Sequence, residues 1–265
     1  MSFLDLTDKH FVVCGVSNKK SVAYRAGKLL RDEGARVTWV VHTDARRQEV
    51  ARLLEPDRIE VCDVESEAAI RELGERIDEP VHGLLHAIAF ANYAEGPKPF
   101  EETSRADFLQ ATQVSSFSLV ELSRALRPRF DPQASVVTVS ISTTRMAAEN
   151  YGYMAPVKAS LESSLVFLAR SFASRSEVRF NAVAPGLLKT RSAAGIPGYA
   201  ESYLYAEKVI PRGRGVTVDE VASSIAFLLS PRSSGINGQV VVLDAGMSFN
   251  YFDRALVQSA LRDDG

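Results

Sequence analysis

The chain has 265 residues, 46% hydrophobic and 24% charged, enough to bury one sizeable core and unlike a disordered or low-complexity segment. A formal net charge of -2 lacks the basic footprint that a nucleic-acid binder needs. Two cysteines, Cys14 and Cys62, and four scattered histidines make neither a disulfide framework nor a metal cage.

The N-terminal stretch MSFLDLTDKH carries Asp5 and Asp8 where a signal peptide would have a basic start and an apolar run. The longest apolar run, Gly83 to Ala91, is far too short to cross a bilayer and contains His86. A cytoplasmic protein without a membrane segment is expected.

Short apolar, β-rich runs then alternate with helix-patterned stretches. HFVVCG precedes a helix from about Ser21, ARVTWVV precedes DARRQEVARLL, and RIEVC precedes SEAAIRELGERI. HGLLHAIAF, a long helical segment from about Asp107 to Leu126, SVVTVS, a helix over Tyr151 to Phe172, VRFNAVA and GQVVVLDAG complete the series. Strands apolar nearly throughout are those of a parallel sheet covered by helices on both faces. The expected fold is therefore α/β: a single doubly wound, Rossmann-type domain over residues 1–265 with about seven parallel strands. Cys14 and Cys62 fall in strand-like runs and read as buried free thiols. Residues 191–215 break the pattern with Gly, Pro and Tyr and are expected to be an irregular loop covering a substrate.

In CGVSNKKSVAY the first strand hands over to the first helix, where a glycine turn and helix N-terminal amides accept a pyrophosphate. A full GxGxxG is absent. Gly15 stands in the expected place, and Ser21 is placed to cap the helix and bond a phosphate oxygen, with Val22 following. An ordinary capped turn would read the same way. At the ends of the second and third strands, His42 sits where a ribose-reading group would be, and Asp63 is the candidate partner for an adenine amino group, with Val64 beside it. No acidic ribose ligand follows the second strand. Arg46 and Arg47 do, next to Glu49, as a solvated helix face would carry them. NADH is favoured over NADPH, which stays open.

Tyr151 and Lys158 lie seven residues apart, which on a helix starting near Tyr151 is about two turns, roughly 10 Å, along one face. A phenol and an ammonium so paired suit hydride-transfer chemistry, although an isolated pair also occurs by chance on surface helices. Pro156 implies that the helix begins close ahead of it.

GVSNKKSVAY, CDV, LLHAIAFA, QVSSFSL, YGYMAPVKASLE, VRFNAVAPGLLKT and GQVVVLDAG, in this order, resemble the short-chain dehydrogenase/reductase superfamily. More narrowly, they resemble its bacterial enoyl-acyl carrier protein reductase branch, from about Phe11 to about Phe249. Most superfamily members carry Tyr-x3-Lys with an upstream serine; here those places hold Met154 and Ile141, and the Tyr-x6-Lys spacing of the enoyl reductases is present. Ser140 and Ser142 flank Ile141. Many members of the branch have a second tyrosine at the Ile141 position, and their Gly-Pro order appears here as Pro185-Gly186.

The resemblance implies reduction of the trans-2 double bond of an enoyl thioester, most simply one on acyl carrier protein in fatty-acid elongation, by hydride transfer from NAD(P)H. It implies that Tyr151 and Lys158 are catalytic, Tyr151 bonding the thioester oxygen and Lys158 the nicotinamide ribose. It places Ile88, Leu188 and Thr190 on the nicotinamide side and Ala91 and Ile141 against the acyl group, and it implies a homotetramer. Tyr153, Tyr199, Tyr203 and Tyr205 are read as packing residues without a catalytic role. Alternatives are an enoyl-thioester reductase of a specialised pathway, a short-chain ketoreductase or alcohol dehydrogenase, and a nucleotide-sensing protein without turnover.

Overall fold

The computed structural model describes residues 3–94, 96, 98–142, 144–147, 152–190, 193–196 and 198–263. Its centre is a parallel seven-stranded sheet of order β3-β2-β1-β4-β5-β6-β7. The strands are β1 His10–Cys14, β2 Arg36–Val41, β3 Arg58–Val61, β4 Val81–His86, β5 Phe130–Val139, β6 Arg179–Pro185 and β7 Val240–Leu243. The helices are α1 Val22–Asp32, α2 Asp44–Leu54, α3 Glu67–Arg76, α4 Arg105–Thr112, α5 Ser118–Leu126, α6 Met154–Phe172, α7 Tyr199–Val209, α8 Val218–Leu229 and α9 Arg254–Asp263. The doubly wound domain expected from the alternating runs is what forms.

Strand geometry divides the core in two. Along β1, Phe11 and Val13 point to one face, with Trp39, Leu30 of α1, Val50 of α2 and Ile225 of α8. Val12 and Cys14 point to the other, with Leu73 of α3, Leu122 of α5 and Leu165 of α6. All are buried, so both sheet faces are dry and the strands have no polar side to show, the cause of their unbroken apolar sequence. Cys14 and Cys62 are buried free thiols, and burial pushes the Cys62 thiol up to about 12. No helix among the described residues is long and apolar enough to cross a membrane.

Three expectations need correction. The segment from Asp107 to Leu126 is interrupted by a π-turn over Gln113–Phe117, where one extra residue is accommodated between α4 and α5. Residues 191–215 are not wholly irregular, because α7 forms within them. Helix α6 begins at Met154 rather than near Tyr151, after Tyr153 at φ -89° and ψ 1°. Its start keeps Pro156 in the first turn, where the missing N–H costs no intrahelical bond. Lys158 lies on α6 one turn from its start, and Tyr151 lies outside the described residues.

Candidate active site

The C-terminal ends of the strands open into one cleft of about 2210 Å³, at the crevice where chain order reverses between β1 and β4. Gly15, Ser21, Val22, His42, Asp63, Val64, Ile88, Ala91, Ile141, Lys158, Leu188 and Thr190 all line it. Tyr151 lies outside the described residues.

At the β1 end, Gly15 has φ +97°, and a Cβ there would lie 2.1 Å from the Ala87 carbonyl oxygen. Only glycine lets β1 leave the sheet this close to β4. Ser21 caps α1: its Oγ accepts from the Tyr24 amide at 3.3 Å and donates to the Asn18 carbonyl at 2.8 Å. No acidic residue occupies the first turn of α1, so its positive end faces the cleft uncancelled. These features fit a dinucleotide's pyrophosphate. Beside them, His42 stands 3.4 Å from the Asp63 carboxylate, and both are well exposed in the cleft wall. Arg46 is not simply solvated: its guanidinium donates to the Ser17 carbonyl at 3.4 Å and pairs with Glu49. It thereby joins the cleft lining, whereas Arg47 pairs with Asp44.

Lys158 is buried at the middle of the cleft floor, its Nζ donating to the carbonyls of Val139 at 2.9 Å and Ile88 at 3.3 Å. Two of the ammonium's three donors thus clamp the ends of β5 and β4, and a third is left for another acceptor. Burial lowers its pKa to about 8, against the opposing pull of the Glu162 carboxylate one turn further along α6. The ammonium remains charged at neutral pH.

Beyond β5, Ser140 donates to Glu162 at 2.6 Å, while Thr144 donates to the other carboxylate oxygen at 3.1 Å. Ile141 presents its apolar side chain to the cleft. The Ser142 hydroxyl is buried near Gly186, and it has no hydrogen-bond partner among the described residues. Tyr153 packs, as expected, edge-on against Phe108; its hydroxyl accepts from the Asn92 amide at 2.9 Å and donates to the Asn92 carbonyl at 3.3 Å.

The π-turn braces this region from below. Ser115 Oγ accepts from the Phe90 amide at 2.8 Å and donates to its carbonyl at 3.0 Å, holding the segment between Ile88 and Ala91. Ser118 meets one ring nitrogen of buried His86 at 2.8 Å, and Thr138 meets the other at 2.8 Å. Burial, with the Lys158 charge adding to it, pulls the His86 pKa down to about 3, so the imidazole is neutral.

Over the cleft, α7 starts after Gly198, whose φ of +70° supplies a left-handed turn. Tyr199, Tyr203 and Glu207 recur every fourth residue and share one face of α7. The Tyr199 hydroxyl accepts from the Leu188 amide at 2.6 Å and donates to the Leu188 carbonyl at 2.8 Å. Lys189 stands 4.2 Å above the Tyr203 ring and 3.5 Å from the Glu207 carboxylate. Spacing in the sequence gives no hint of the Tyr199 contact, which joins residues eleven apart across a turn. Glu162 was accessible to the i, i+4 rule applied from Lys158.

Residues 15–248 match the family described as Enoyl-(Acyl carrier protein) reductase. The protein named enoyl-[acyl-carrier-protein] reductase [NADH] FabI from Enterococcus faecalis is 35% identical over 246 residues, covering 91% of this chain and 98% of that protein. Its namesake from Staphylococcus aureus MRSA252, whose name specifies NADPH, is 33% identical, covering 92% and 98%. The crystal structure of enoyl-[acyl-carrier-protein] reductase (NADH) from Aquifex aeolicus superposes with a TM-score of 0.88 at 30% identity, covering 94% of this chain and 99% of that one.

Proposed function

From the premise that the chain belongs to the enoyl-acyl carrier protein reductase family, we propose that it reduces the trans-2 double bond of an enoyl thioester in fatty-acid elongation. The chain is an NAD(P)H-dependent oxidoreductase, and relatives named for NADH and for NADPH both fall within its range of similarity. The observation that carries the site assignment is the buried Lys158 ammonium, held with a free donor at the midpoint of a cleft that begins at a phosphate-binding turn.

When bound, the reduced nicotinamide supplies the hydride that adds to the thioester's β carbon. Gly15, Ser21 and the open end of α1 hold the pyrophosphate, His42 and Asp63 the adenosine half, and Lys158 the nicotinamide ribose. The Leu188 N–H and C=O lie side by side, since one hydroxyl reaches both, and together they complement a primary carboxamide. Thr190 flanks them. Tyr151 donates a hydrogen bond to the thioester oxygen, and the Lys158 charge adds to it, so negative charge developing on that oxygen is met in a dry site. A proton delivered to the α carbon completes the saturated product. Ile141 and Ala91 give the acyl group an apolar wall and have no proton to exchange.

A homotetramer is part of this proposal. Phe117, Val166 and Phe167, on the π-turn and α6, are exposed apolar side chains on the outer surface, and helix pairing between subunits would cover them.

The test is loss of reduced-nicotinamide absorbance with a trans-2-enoyl thioester, run with NADH and NADPH separately and against an acetoacetyl thioester. Turnover of the enoyl substrate, lost in Tyr151→Phe, is expected. Turnover of the acetoacetyl thioester alone would replace the proposal by carbonyl reduction.

A further inference from the structure

We infer that the Tyr199 hydroxyl is a latch that occupies the nicotinamide carboxamide's place on Leu188, so that the α7 lid must release before the cofactor seats fully. The inference rests on the cofactor reading given above and adds to it a competing group from the chain itself.

The geometry is that of a stand-in. A phenol hydroxyl is one donor and one acceptor on a single atom, and Tyr199 spends both on the Leu188 main chain, at 2.8 and 2.6 Å. A primary carboxamide offers the same pair of functions. Leu188 leaves β6 at the far end of the cleft from the phosphate-binding turn, with Lys158 between, so a dinucleotide laid along the cleft brings its nicotinamide to this end. The Leu188 carbonyl also accepts from the Thr190 amide at 2.9 Å, whereas its N–H has the phenol as its hydrogen-bond partner. Displacing the phenol would leave that N–H needing an acceptor, which the carboxamide oxygen supplies. Tyr199 is half-buried against the cleft, and burial pushes its pKa up to about 12, so the hydroxyl keeps the proton it donates.

The lid is built to let go. Tyr199 is the first residue of α7, directly after left-handed Gly198. The other two fastenings on the same face, Tyr203 and Glu207, both act on Lys189, whose side chain is 71% exposed and solvent-screened. Release of that half-buried phenol frees the helix start, while buried Ala206 and Val209 still hold the C-terminal end of α7. In the latched state the carboxamide site is unavailable, and apparent cofactor affinity falls by the fraction of molecules unlatched.

The test compares wild type with Tyr199→Phe, which retains the ring and removes the hydroxyl, by titrating NADH, NADPH and ADP-ribose and reading nucleotide fluorescence or heat. ADP-ribose fills the same cleft without a nicotinamide. Tighter binding of the preferred reduced nucleotide in Tyr199→Phe, by about tenfold, with unchanged ADP-ribose affinity, is expected. Equal or weaker nucleotide affinity in the variant, or an equal gain for ADP-ribose, overturns the latch. Tyr199→Met, also without a hydroxyl, gives the same reading should the first variant fold poorly. A wild-type chain that binds none of the three nucleotides refutes the cofactor reading itself, and the latch with it.

Discussion

Lys158 and Glu162 stand one helical turn apart on α6 and divide the work of holding the strand ends: the ammonium takes the carbonyls of Ile88 and Val139, the carboxylate takes the hydroxyls of Ser140 and Thr144. The carboxylate also opposes the loss of charge that burial imposes on the ammonium. Removing the carboxylate thus weakens the ammonium's hold on its proton.

This coupling should set the alkaline limit of the enzyme. Lys158 is a cation below about pH 8 and neutral above it, so kcat/KM for NADH should fall about tenfold per pH unit on the alkaline side. Glu162→Gln removes the charge that raises the Lys158 pKa and should move the limb to lower pH. Lys158→Arg stays charged, and its residual activity should show no limb below about pH 10. A limb that ignores both substitutions would detach it from Lys158.

Acid stability should depend on His86. Its pKa is about 3 in the folded chain against the ordinary 6.5 of an unfolded one, so its contribution is complete above pH 6.5 and is lost as pH falls towards 3. The slope over that window is about 1.4 kcal/mol per pH unit for one proton. His86→Gln, less stable at about pH 7.5 through its altered bonds to Ser118 and Thr138, should show a flatter decline by thermal melting. Parallel declines in the two proteins would place the acid sensitivity elsewhere.

Gly15→Ala puts a methyl group 2.1 Å from the Ala87 carbonyl at a φ of +97°, and relief requires β1 and β4 to separate at the cleft. A loss of more than about 3 kcal/mol in urea unfolding is expected, together with loss of NADH binding. Gly235→Ala, where a Cβ meets nothing within 4 Å, is the matched control and should be near neutral.

Arg179 is a buried cation whose guanidinium donates to the Ser233 carbonyl and hydroxyl, each at 2.8 Å, and to the Ser230 carbonyl at 3.0 Å, just past the end of α8. Arg179→Met leaves those acceptors unmet in a dry site and should cost about 3 kcal/mol. Arg179→Lys, a point charge without the planar fork, should recover only part of it. Full recovery by lysine would show that charge alone suffices.

What the sequence made legible follows from local physics. DARRQEVARLL is the α2 segment itself because Thr43 accepts from the Arg46 amide at its start and Pro56 follows its end. The strands were legible because burial on both faces leaves no polar alternation to confuse with a helix. The residues from Gly15 to Thr190 share one cleft because, Lys158 on α6 apart, they follow strand ends, where this fold gathers its loops. The π-turn was not legible, since one extra residue between α4 and α5 leaves the apolar spacing nearly unchanged. Helix α7 was hidden by Gly195, Pro197 and Gly198 ahead of it, and its anchoring depends on Lys189 and Leu188, which its own composition does not announce. The start of α6 was misplaced because Tyr151 and Lys158 suggested a continuous helix, whereas Tyr153 leaves the helical region.

The strand order has a consequence for how the chain is made. Helix α1 rests on α8, and Arg25 reaches Asp219 across 194 residues of sequence with a bond of 2.5 Å. During synthesis, β1 to β3, α1 and α2 emerge first and cover only part of the face bearing Phe11 and Trp39, which stays incomplete until residues 218–229 have left the ribosome. Nascent chains stopped before α8 should be sticky and protease-sensitive, and the chaperones that bind exposed apolar surface should hold them until nearly the whole message has been read.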